Sequence, residues 1–434
     1  MEQRFIGEAA MNYLAYPFYE ASLAMLSPAL LSMQISASAF SQSLLGKVPG
    51  FANLASASQL LSCLRLKESA PGFGLNRVSL ADRDGCEHVR IHEEAVYKAP
   101  FGSLLHFRKE GVSAGPRVLV VAPMAGHFAS RMRETVRTLV TDHDVYVTDW
   151  HNARDVPLSA GRFDLDDAIQ CLMDFLQKMG QGVHVLAVCQ ACVPALAAAS
   201  IMAEDDHASQ PRSLILMAGP IDPRIRPTSV YRFANRATLR WYQHNLISIV
   251  PANCAGAMRR VYPGFIQLAA LMSMQPKQHI DAFLRMYESQ ISGNWAVLEE
   301  IQAFYAEYLA MLDLTEEFYL STLCRIFREA ELAQGTFQWR GRLVRPQAIR
   351  RTSLLTVEGE HDEVCATGQI RAAHALCSGI PSDMKFQHVQ PASGHDDVFS
   401  GVTWREGVYP RIRSLIMSCQ QEDGLCGRAN ACAA

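Results

Sequence analysis

The segment VLAVCQAC occupies residues 185–192, and PALAAAS follows it from Pro194. An apolar run that ends abruptly at Cys189 is typical of a buried strand that turns into a helix, here with a thiol at the turn. A cysteine in this place is a nucleophile, one half of a redox or metal pair with Cys192, or a small buried side chain. The segments around it decide among the three.

Short apolar runs bounded by turn residues recur on both sides of this segment. Fully apolar strands that alternate with helices predict the α/β class, with a mostly parallel sheet covered by helices on both faces. Upstream, VRIHEEAVYK and GSLLHFRKE alternate as the two strands of a hairpin do. The apolar runs are RVLVVAP (117–123), DVYVTDW (144–150), VHVLAVC (183–189), SLILMAG (213–219), SLLTVEG (353–359) and FQHVQP (386–391).

The same pattern predicts five parts of the chain. Long amphipathic patterns without a strand signal run from residue 230 to about 337, and they indicate a helical cap inserted into the sheet. A stripe in the first part, formed by Tyr13, Tyr16, Phe18, Tyr19, Leu23 and Met25, is interpreted as core packing, with a docking surface for an apolar partner as the alternative. The parts are a helical N-terminal extension (1–75), the first part of the core (76–225), the cap or lid (226–345), the second part of the core (346–420) and a flexible tail (421–434).

Composition and charge exclude several classes of protein. The chain has 434 residues, of which 49% are hydrophobic, and its formal net charge is −3, so no basic field attracts nucleic acid. Its 12 cysteines are scattered without a regular framework, which indicates reduced thiols in the cytoplasm rather than disulfides. The N-terminus lacks the basic start and unbroken apolar core of a signal peptide, and no apolar stretch is long enough to predict a membrane span.

Reactive side chains follow three of the predicted strands. Cys189 ends one strand, Asp362 follows another in VEGEHD, and His395 follows the last in QPASGHDD. The carboxyl ends of parallel strands meet at one edge of a sheet, and the chain order nucleophile, acid, histidine is that of the α/β-hydrolase fold. We therefore predict a catalytic triad of Cys189, His395 and Asp362. Five residues are expected at a solvated rim: Glu360, His361, Glu363, Asp396 and Asp397. Of these, Glu360 and Glu363 are rival candidates for the acid.

The turn at Cys189 also predicts an oxyanion hole. The small residues Ala187 and Ala191 flank the turn, and Gln190 would donate its backbone N–H to a developing oxyanion. The second N–H is expected from MAGHFA, at Met124 or Ala125, with Gly126 giving the loop room and His127 expected in a structural role. His395 as base and the following helix N-terminus would favour the thiolate of Cys189.

The pair Cys189–Cys192 has a competing interpretation. C-x-x-C at the start of a helix also describes thioredoxin-like redox sites, but that reading leaves Asp362 and His395 without a role. A zinc site would need two more ligands, and the sequence has no second C-x-x-C. We therefore expect no metal and no organic cofactor, and we expect Cys192→Ser to leave activity largely intact.

Five stretches of the chain form a recognisable set: residues 120–167, which include DWHNARDVP, and HVLAVCQACVPALAA, LMAGPIDPRIRPT, LLTVEGEHDEV and AAHALCSGIP. Through them, residues from about 85 to 415 resemble the intracellular polyhydroxybutyrate depolymerases. The resemblance implies an α/β-hydrolase with nucleophile Cys189, acid Asp362 and histidine His395, acting on amorphous poly(3-hydroxybutyrate). The chain departs from the family at Ala191-Cys192, where Pro-Thr is usual, and at Asp396-Asp397, where Tyr-Gly is usual. The two acids are expected to raise the pKa of His395.

The resemblance implies a cytoplasmic, granule-associated hydrolase whose partner is the polyester surface of the granule. Three alternatives remain open: an acyltransferase or thiolytic enzyme that uses coenzyme A, as polyhydroxyalkanoate synthases do, a non-catalytic granule-binding protein, and a general esterase. In a cap that lies over the strand ends, apolar side chains would contact the polymer. The candidates are Trp241, Tyr242, Phe265, Tyr287 and Phe304.

Overall fold

The computed structural model describes residues 70–82, 85–274 and 276–432, together with Tyr16 and Tyr19. Most of the predicted N-terminal extension therefore lies outside the described residues. The strands are β1 (Arg77–Asp82), β2 (Gly85–Ala99), β3 (Gly102–Lys109), β4 (Arg117–Val121), β5 (Asp144–Trp150), β6 (His184–Val188), β7 (Ser213–Met217), β8 (Ser248–Ile249), β9 (Arg260–Tyr262), β10 (Leu314–Thr315), β11 (Gln338–Trp339), β12 (Arg342–Leu343), β13 (Ser353–Gly359) and β14 (Lys385–Gln390).

Helices separate most of these strands. They are α1 (Arg133–Leu139), α2 (Leu165–Met179), α3 (Cys192–Glu204), α4 (Ser229–Asn235), α5 (Leu239–Leu246), α6 (Gly264–Met274), α7 (Pro276–Ser292), α8 (Trp295–Tyr308), α9 (Glu316–Thr322), α10 (Glu331–Gln334), α11 (Ala372–Leu376), α12 (Gly401–Thr403) and α13 (Tyr409–Cys432). Within the described chain, every helix is too short or too polar to cross a lipid bilayer.

Nine of the strands form one sheet in the order β1-β2-β3-β5-β4-β6-β7-β13-β14. The pairs from β1 to β5 are antiparallel, and β2 and β3 form the predicted hairpin. The pairs from β5 to β14 are parallel. In the sheet β5 lies between β3 and β4, so the later strands continue from β4. The carboxyl ends of all six parallel strands therefore lie at one edge of the sheet. This arrangement confirms the predicted α/β-hydrolase fold.

Strand β6 shows why the sheet is covered on both faces. Val185 and Ala187 belong to one buried cluster with α2 and α3, while Leu186 and Val188 belong to another with α1 and α13. Successive side chains of a strand point to opposite faces, so an unbroken apolar run must be buried on both.

The chain between β7 and β13 is mainly helical, as predicted, but the expectation that no strand interrupts it was wrong. Strands β8, β9 and β10 form a small antiparallel sheet there. Strands of two or three residues are too short to produce a period-two signal in the sequence, so they were missed. Helix α13 continues through Cys432 and takes up most of the tail expected at residues 421–434. The five-part division of the chain stays a prediction.

Candidate active site

The turn after β6 has the geometry of a strained nucleophile elbow. Cys189 has a φ of 54° and opens a short 3-10 turn that leads into α3. Holding a non-glycine residue in this region costs on the order of 1–3 kcal/mol, and such strain concentrates at functional sites. Gly219 makes room for the turn, because a Cβ there would lie 2.8 Å from the carbonyl oxygen of Cys189.

Asp362 and His395 meet at the same edge of the sheet. The Nδ1 atom of His395 lies 2.7 Å from Oδ2 of Asp362, whose side chain has no exposed area. The other carboxylate oxygen accepts 2.8 Å hydrogen bonds from the backbone N–H groups of Val364 and Cys365. The carboxylate of Glu360 instead accepts from the N–H of Ala392. Asp362 is therefore the carboxylate that orients the imidazole.

Cys189 completes a row of three groups. Its pKa is lowered by a hydrogen bond from the Cys365 thiol, against the effect of burial, and further by the charge and hydrogen bond of His395 and by the N–H of Gln190. Burial lowers the pKa of His395, but Asp362 and Cys189 outweigh it, so that pKa is raised. Both shifts favour a thiolate beside an imidazolium. The structure thus brings together the three residues predicted from the sequence.

The acids that follow His395 have other partners. Oδ2 of Asp396 lies 2.6 Å from Nη2 of Arg131, and Oδ2 of Asp397 accepts a 2.8 Å hydrogen bond from the N–H of Gly394. The largest causes of the raised pKa of His395 are Asp362 and the Cys189 sulfur. Asp396 also interacts with the charge of His395, which lowers the pKa of Asp396, so the expected effect is present but Asp362 dominates. Arg131, which sequence reasoning did not single out, ties the segment before α1 to the histidine loop.

The predicted oxyanion loop lies after β4. Met124 is buried and Ala125 is exposed, and within the described chain neither N–H donates to a backbone carbonyl. Gln190 is buried, and its N–H faces the Cys189 sulfur. The role of these donors in an oxyanion hole stays a prediction.

The mainly helical region between β7 and β13 contacts the loop after β4 through two hydrogen bonds. The carbonyl oxygen of Gly126 accepts a 2.6 Å hydrogen bond from the N–H of Leu312. Nε2 of His127 donates a 3.1 Å hydrogen bond to the carbonyl oxygen of Tyr308. Burial of the ring lowers the pKa of His127 to about 4. His127 is therefore neutral near pH 7, which fits the structural role expected of it.

We expect Gly126→Ala to destabilise the protein and displace the loop. Gly126 has a φ of 103°, and a Cβ there would lie 2.5 Å from Oε1 of Gln267. That amide is held by hydrogen bonds to the carbonyl oxygens of Tyr262 and Leu312, so it cannot move away freely. The free energy of unfolding should fall by about 1–3 kcal/mol, measured by urea titration, and ester hydrolysis should slow with it.

Gly161→Ala provides the matched control. Gly161 has a φ of 84°, but a Cβ there would meet no atom within 4 Å. It therefore carries the backbone strain without the collision, and its loss of stability should be smaller. Equal losses in the two variants would contradict the argument that Gln267 holds the loop.

Cys192 does not share the environment of Cys189. Its fully buried thiol lies 3.3 Å from the carbonyl oxygen of Ala187 and 3.5 Å from that of Met217, and burial raises its pKa well above the ordinary value. A protonated thiol that donates to the backbone is a packing group. In the residues that the structure describes, no cluster of three His, Cys, Asp or Glu side chains could hold a metal ion.

The aromatic candidates for polymer contact differ in position. Trp241 and Phe304 are exposed, whereas Tyr242 is buried and belongs to the core. The guanidinium of Arg131 lies 5.0 Å from the centre of the Phe304 ring, which places that ring near the histidine loop. Phe265 stacks on Tyr19 with ring centres 4.2 Å apart. Among the aromatic candidates, Phe304 is therefore the one that contacts Arg131, which in turn is paired with Asp396 beside His395.

The chain is similar to several known proteins. Residues 218–420 match the family model described as PHB de-polymerase C-terminus, a range that contains Asp362 and His395. No curated protein matches the chain. The solved structures similar to it include a Bacillus megaterium epoxide hydrolase (11% identity, 76% of this chain and 97% of the other, TM-score 0.45) and a Paleococcus ferrophilus monoacylglycerol lipase (10%, 74% and 98%, 0.43).

The strand order, the turn at Cys189 and the family match define the class: the chain is a carboxylic ester hydrolase of the α/β-hydrolase superfamily. The matched range, residues 218–420, is slightly less than half of the chain, and the match agrees with the resemblance seen in the sequence.

Proposed function

We propose that the chain hydrolyses the ester bonds of amorphous poly(3-hydroxybutyrate) in native granules, with Cys189 as nucleophile, His395 as acid and base, and Asp362 as the orienting carboxylate. The observation that carries this proposal is the 2.7 Å contact between Nδ1 of His395 and Oδ2 of Asp362 at the sheet edge where the strained turn presents Cys189, whose pKa the charge of His395 lowers. The family match of residues 218–420 supports the polyester as the substrate class.

Acylation begins from the thiolate and the imidazolium. The Cys189 sulfur attacks the ester carbonyl carbon, and the backbone N–H groups of Gln190 and Met124 stabilise the oxyanion that forms. When the intermediate collapses, the bond to the alkoxide oxygen breaks and His395 gives its Nε2 proton to the leaving alcohol. An acyl thioester on Cys189 and a neutral imidazole remain.

Deacylation reverses the roles of the two groups. Neutral His395 takes a proton from water, and the oxygen of that water attacks the thioester carbon. Expulsion of the sulfur releases the carboxylic acid and restores the thiolate beside the imidazolium. In both steps Asp362 holds the imidazole ring and stabilises its positive charge.

The acceptor of the acyl group distinguishes this function from its nearest alternative. With amorphous granules as substrate, we expect soluble 3-hydroxybutyrate or its short oligomers to appear in the absence of coenzyme A, since water serves as the acceptor. Mass spectrometry of the soluble products with and without coenzyme A makes the measurement. Release only as coenzyme A thioesters would assign thiolysis, and binding to granules without any release would assign a non-catalytic role.

Short p-nitrophenyl esters serve as the second substrate in this experiment. A general esterase would turn them over without releasing soluble product from granules, whereas the proposed enzyme releases product from granules. The proposed site of action is the granule surface in the cytoplasm. Sedimentation of granules with the bound protein tests that placement directly.

A further inference from the structure

An ion pair joins the loop that carries His395 to the segment that follows the predicted oxyanion loop. Nη2 of Arg131 lies 2.6 Å from Oδ2 of Asp396, the residue directly after His395. The side chain of Arg131 is 12% exposed, so its guanidinium is largely removed from water and the pair is screened less than one on the open surface. Two loops that are far apart in the chain are therefore in fixed contact beside the histidine.

The carboxylate of this pair is charged. Burial raises the pKa of Asp396, but the charges of Arg131 and His395 outweigh it, so that pKa is lowered. The other titratable groups that face the pair are neutral near pH 7. Burial lowers the pKa of His127 to about 4, and burial raises the pKa of Tyr308 on α8 to about 12. Arg131 and Asp396 thus form a charged contact among neutral side chains.

The backbone after His395 is held at two points by the same stretch of chain. The carbonyl oxygen of Asp396 accepts a 3.1 Å hydrogen bond from the N–H of Phe399, which closes the 3-10 turn that follows the histidine. The hydroxyl of Thr135 on α1 donates a 2.5 Å hydrogen bond to the carbonyl oxygen of Phe399. The ring of Phe399 packs edge-on against the imidazole, with ring centres 5.7 Å apart. Thr135 and Arg131, four residues apart, therefore hold the two ends of one turn.

We propose that Arg131 and Asp396 are positioning residues that hold the imidazole of His395 in line with the Cys189 sulfur. The inference rests on the proposed function, because this position matters to the rate only if His395 serves that sulfur. Asp362 orients the ring through Nδ1, but it does not fix the backbone from which the ring extends. The ion pair supplies that restraint, and a displacement of about 1 Å in a reacting group can slow a reaction about 100-fold.

Loss of the ion pair should slow the reaction without weakening the binding of substrate. On saturating amorphous granules we expect Arg131→Met and Asp396→Asn each to release 3-hydroxybutyrate about 10- to 100-fold more slowly than the wild type. The granule concentration that gives half the maximal rate should stay nearly unchanged. Each variant removes the same contact, so the double variant should lose little more than either alone. Losses that multiply in the double variant would contradict the proposal.

The ionisation of Cys189 separates positioning from a direct effect of charge. The full-length protein is treated with iodoacetamide between about pH 4 and 9, and alkylation of the Cys189 peptide is followed by mass spectrometry. Only the thiolate reacts, so the pH at which the rate falls reports how readily the thiolate forms. A displaced imidazolium stabilises the thiolate less. This acidic limb should therefore move to higher pH, by about half a unit or more, in both Arg131→Met and Asp396→Asn.

A direct effect of charge would move the limb in opposite directions in the two variants. Loss of the cation at Arg131 disfavours a nearby thiolate, whereas loss of the anion at Asp396 favours it. Asp396→Asn therefore decides between the two explanations. Its side chain is 44% exposed and nearly the same size as the asparagine, so this variant also carries the test if Arg131→Met fails to fold.

Arg133→Met is the matched control. Nη1 of Arg133 lies 2.9 Å from Oε1 of Glu307, so its ion pair joins the same segment to α8 instead of to the loop of His395. Both of its side chains are largely buried, and the change removes a pair of the same kind two residues further along. The alkylation limb of Arg133→Met should coincide with that of the wild type.

A limb in Asp396→Asn that stays in place or moves to lower pH would overturn the proposal, and so would an equal movement in Arg133→Met. Failure of the proposed function has a different signature: Cys189→Ala would still release 3-hydroxybutyrate from granules, whatever the alkylation profiles of the other variants. The two results come from separate assays and can be read independently.

Discussion

Replacement of Cys189 by alanine should lower the release of soluble 3-hydroxybutyrate from amorphous granules by at least about a thousand-fold. Without the sulfur no acyl-enzyme can form, and water would have to attack the ester directly. The oxyanion donors and the substrate contacts would remain, so a small residual rate above the uncatalysed reaction is expected. Initial rates on granules at neutral pH, with products identified by mass spectrometry, provide the measurement.

Two comparisons distinguish loss of the reactive sulfur from loss of the folded structure. Alanine keeps the Cβ that already occupies the strained φ of 54° at this turn, so the thermal unfolding of Cys189→Ala should stay close to that of the wild type. Cys192→Ser removes a neighbouring sulfur while keeping a donor to the same carbonyl oxygens, so it should retain activity. Undiminished release by Cys189→Ala, or abolition by Cys192→Ser alone, would assign the chemistry to another group.

The sequence could predict the main sheet because its strands are fully apolar. Runs such as residues 184–188 are buried on both faces, and only a few elements produce that pattern. The positions of Cys189, Asp362 and His395 followed from the same reasoning, because each comes directly after a parallel strand. The strands of two or three residues in the helical region carry no comparable pattern and could not be predicted.

One partner of the site could not be read from the sequence. Arg131 reaches Asp396 across two loops that are far apart in the chain. A contact between two loops that are distant in the chain produces no repeating pattern in the sequence. The sequence suggested that Asp396 acts on His395, and it does interact with that charge, but nothing in the sequence indicated that its carboxylate also lies 2.6 Å from the guanidinium of Arg131.

Asp362→Asn should lower kcat by about 10³- to 10⁴-fold, as the corresponding change does in a serine protease triad. The asparagine oxygen can keep the bonds from the N–H groups of Val364 and Cys365, which leaves the amide NH₂ facing Nδ1 of His395. Because the amide NH₂ donates, Nδ1 of His395 must accept, and the proton of the neutral ring then sits on Nε2. That tautomer cannot act as a base, since Nε2 is the atom that must take up a proton. The negative charge that stabilises the imidazolium is also lost.

The variant should change the pH dependence as well as the rate. Asp362 raises the pKa of His395, so its loss lowers that pKa and weakens the ion pair with the Cys189 thiolate. The acidic limb of kcat/KM should therefore move to higher pH. Asp397→Asn makes the same chemical change two residues after His395, and its oxygen can still accept from the N–H of Gly394. If both variants lose activity equally, the carboxylates act through the general charge of the loop rather than through the orientation of the imidazole, and Asp362 has no special place in the triad.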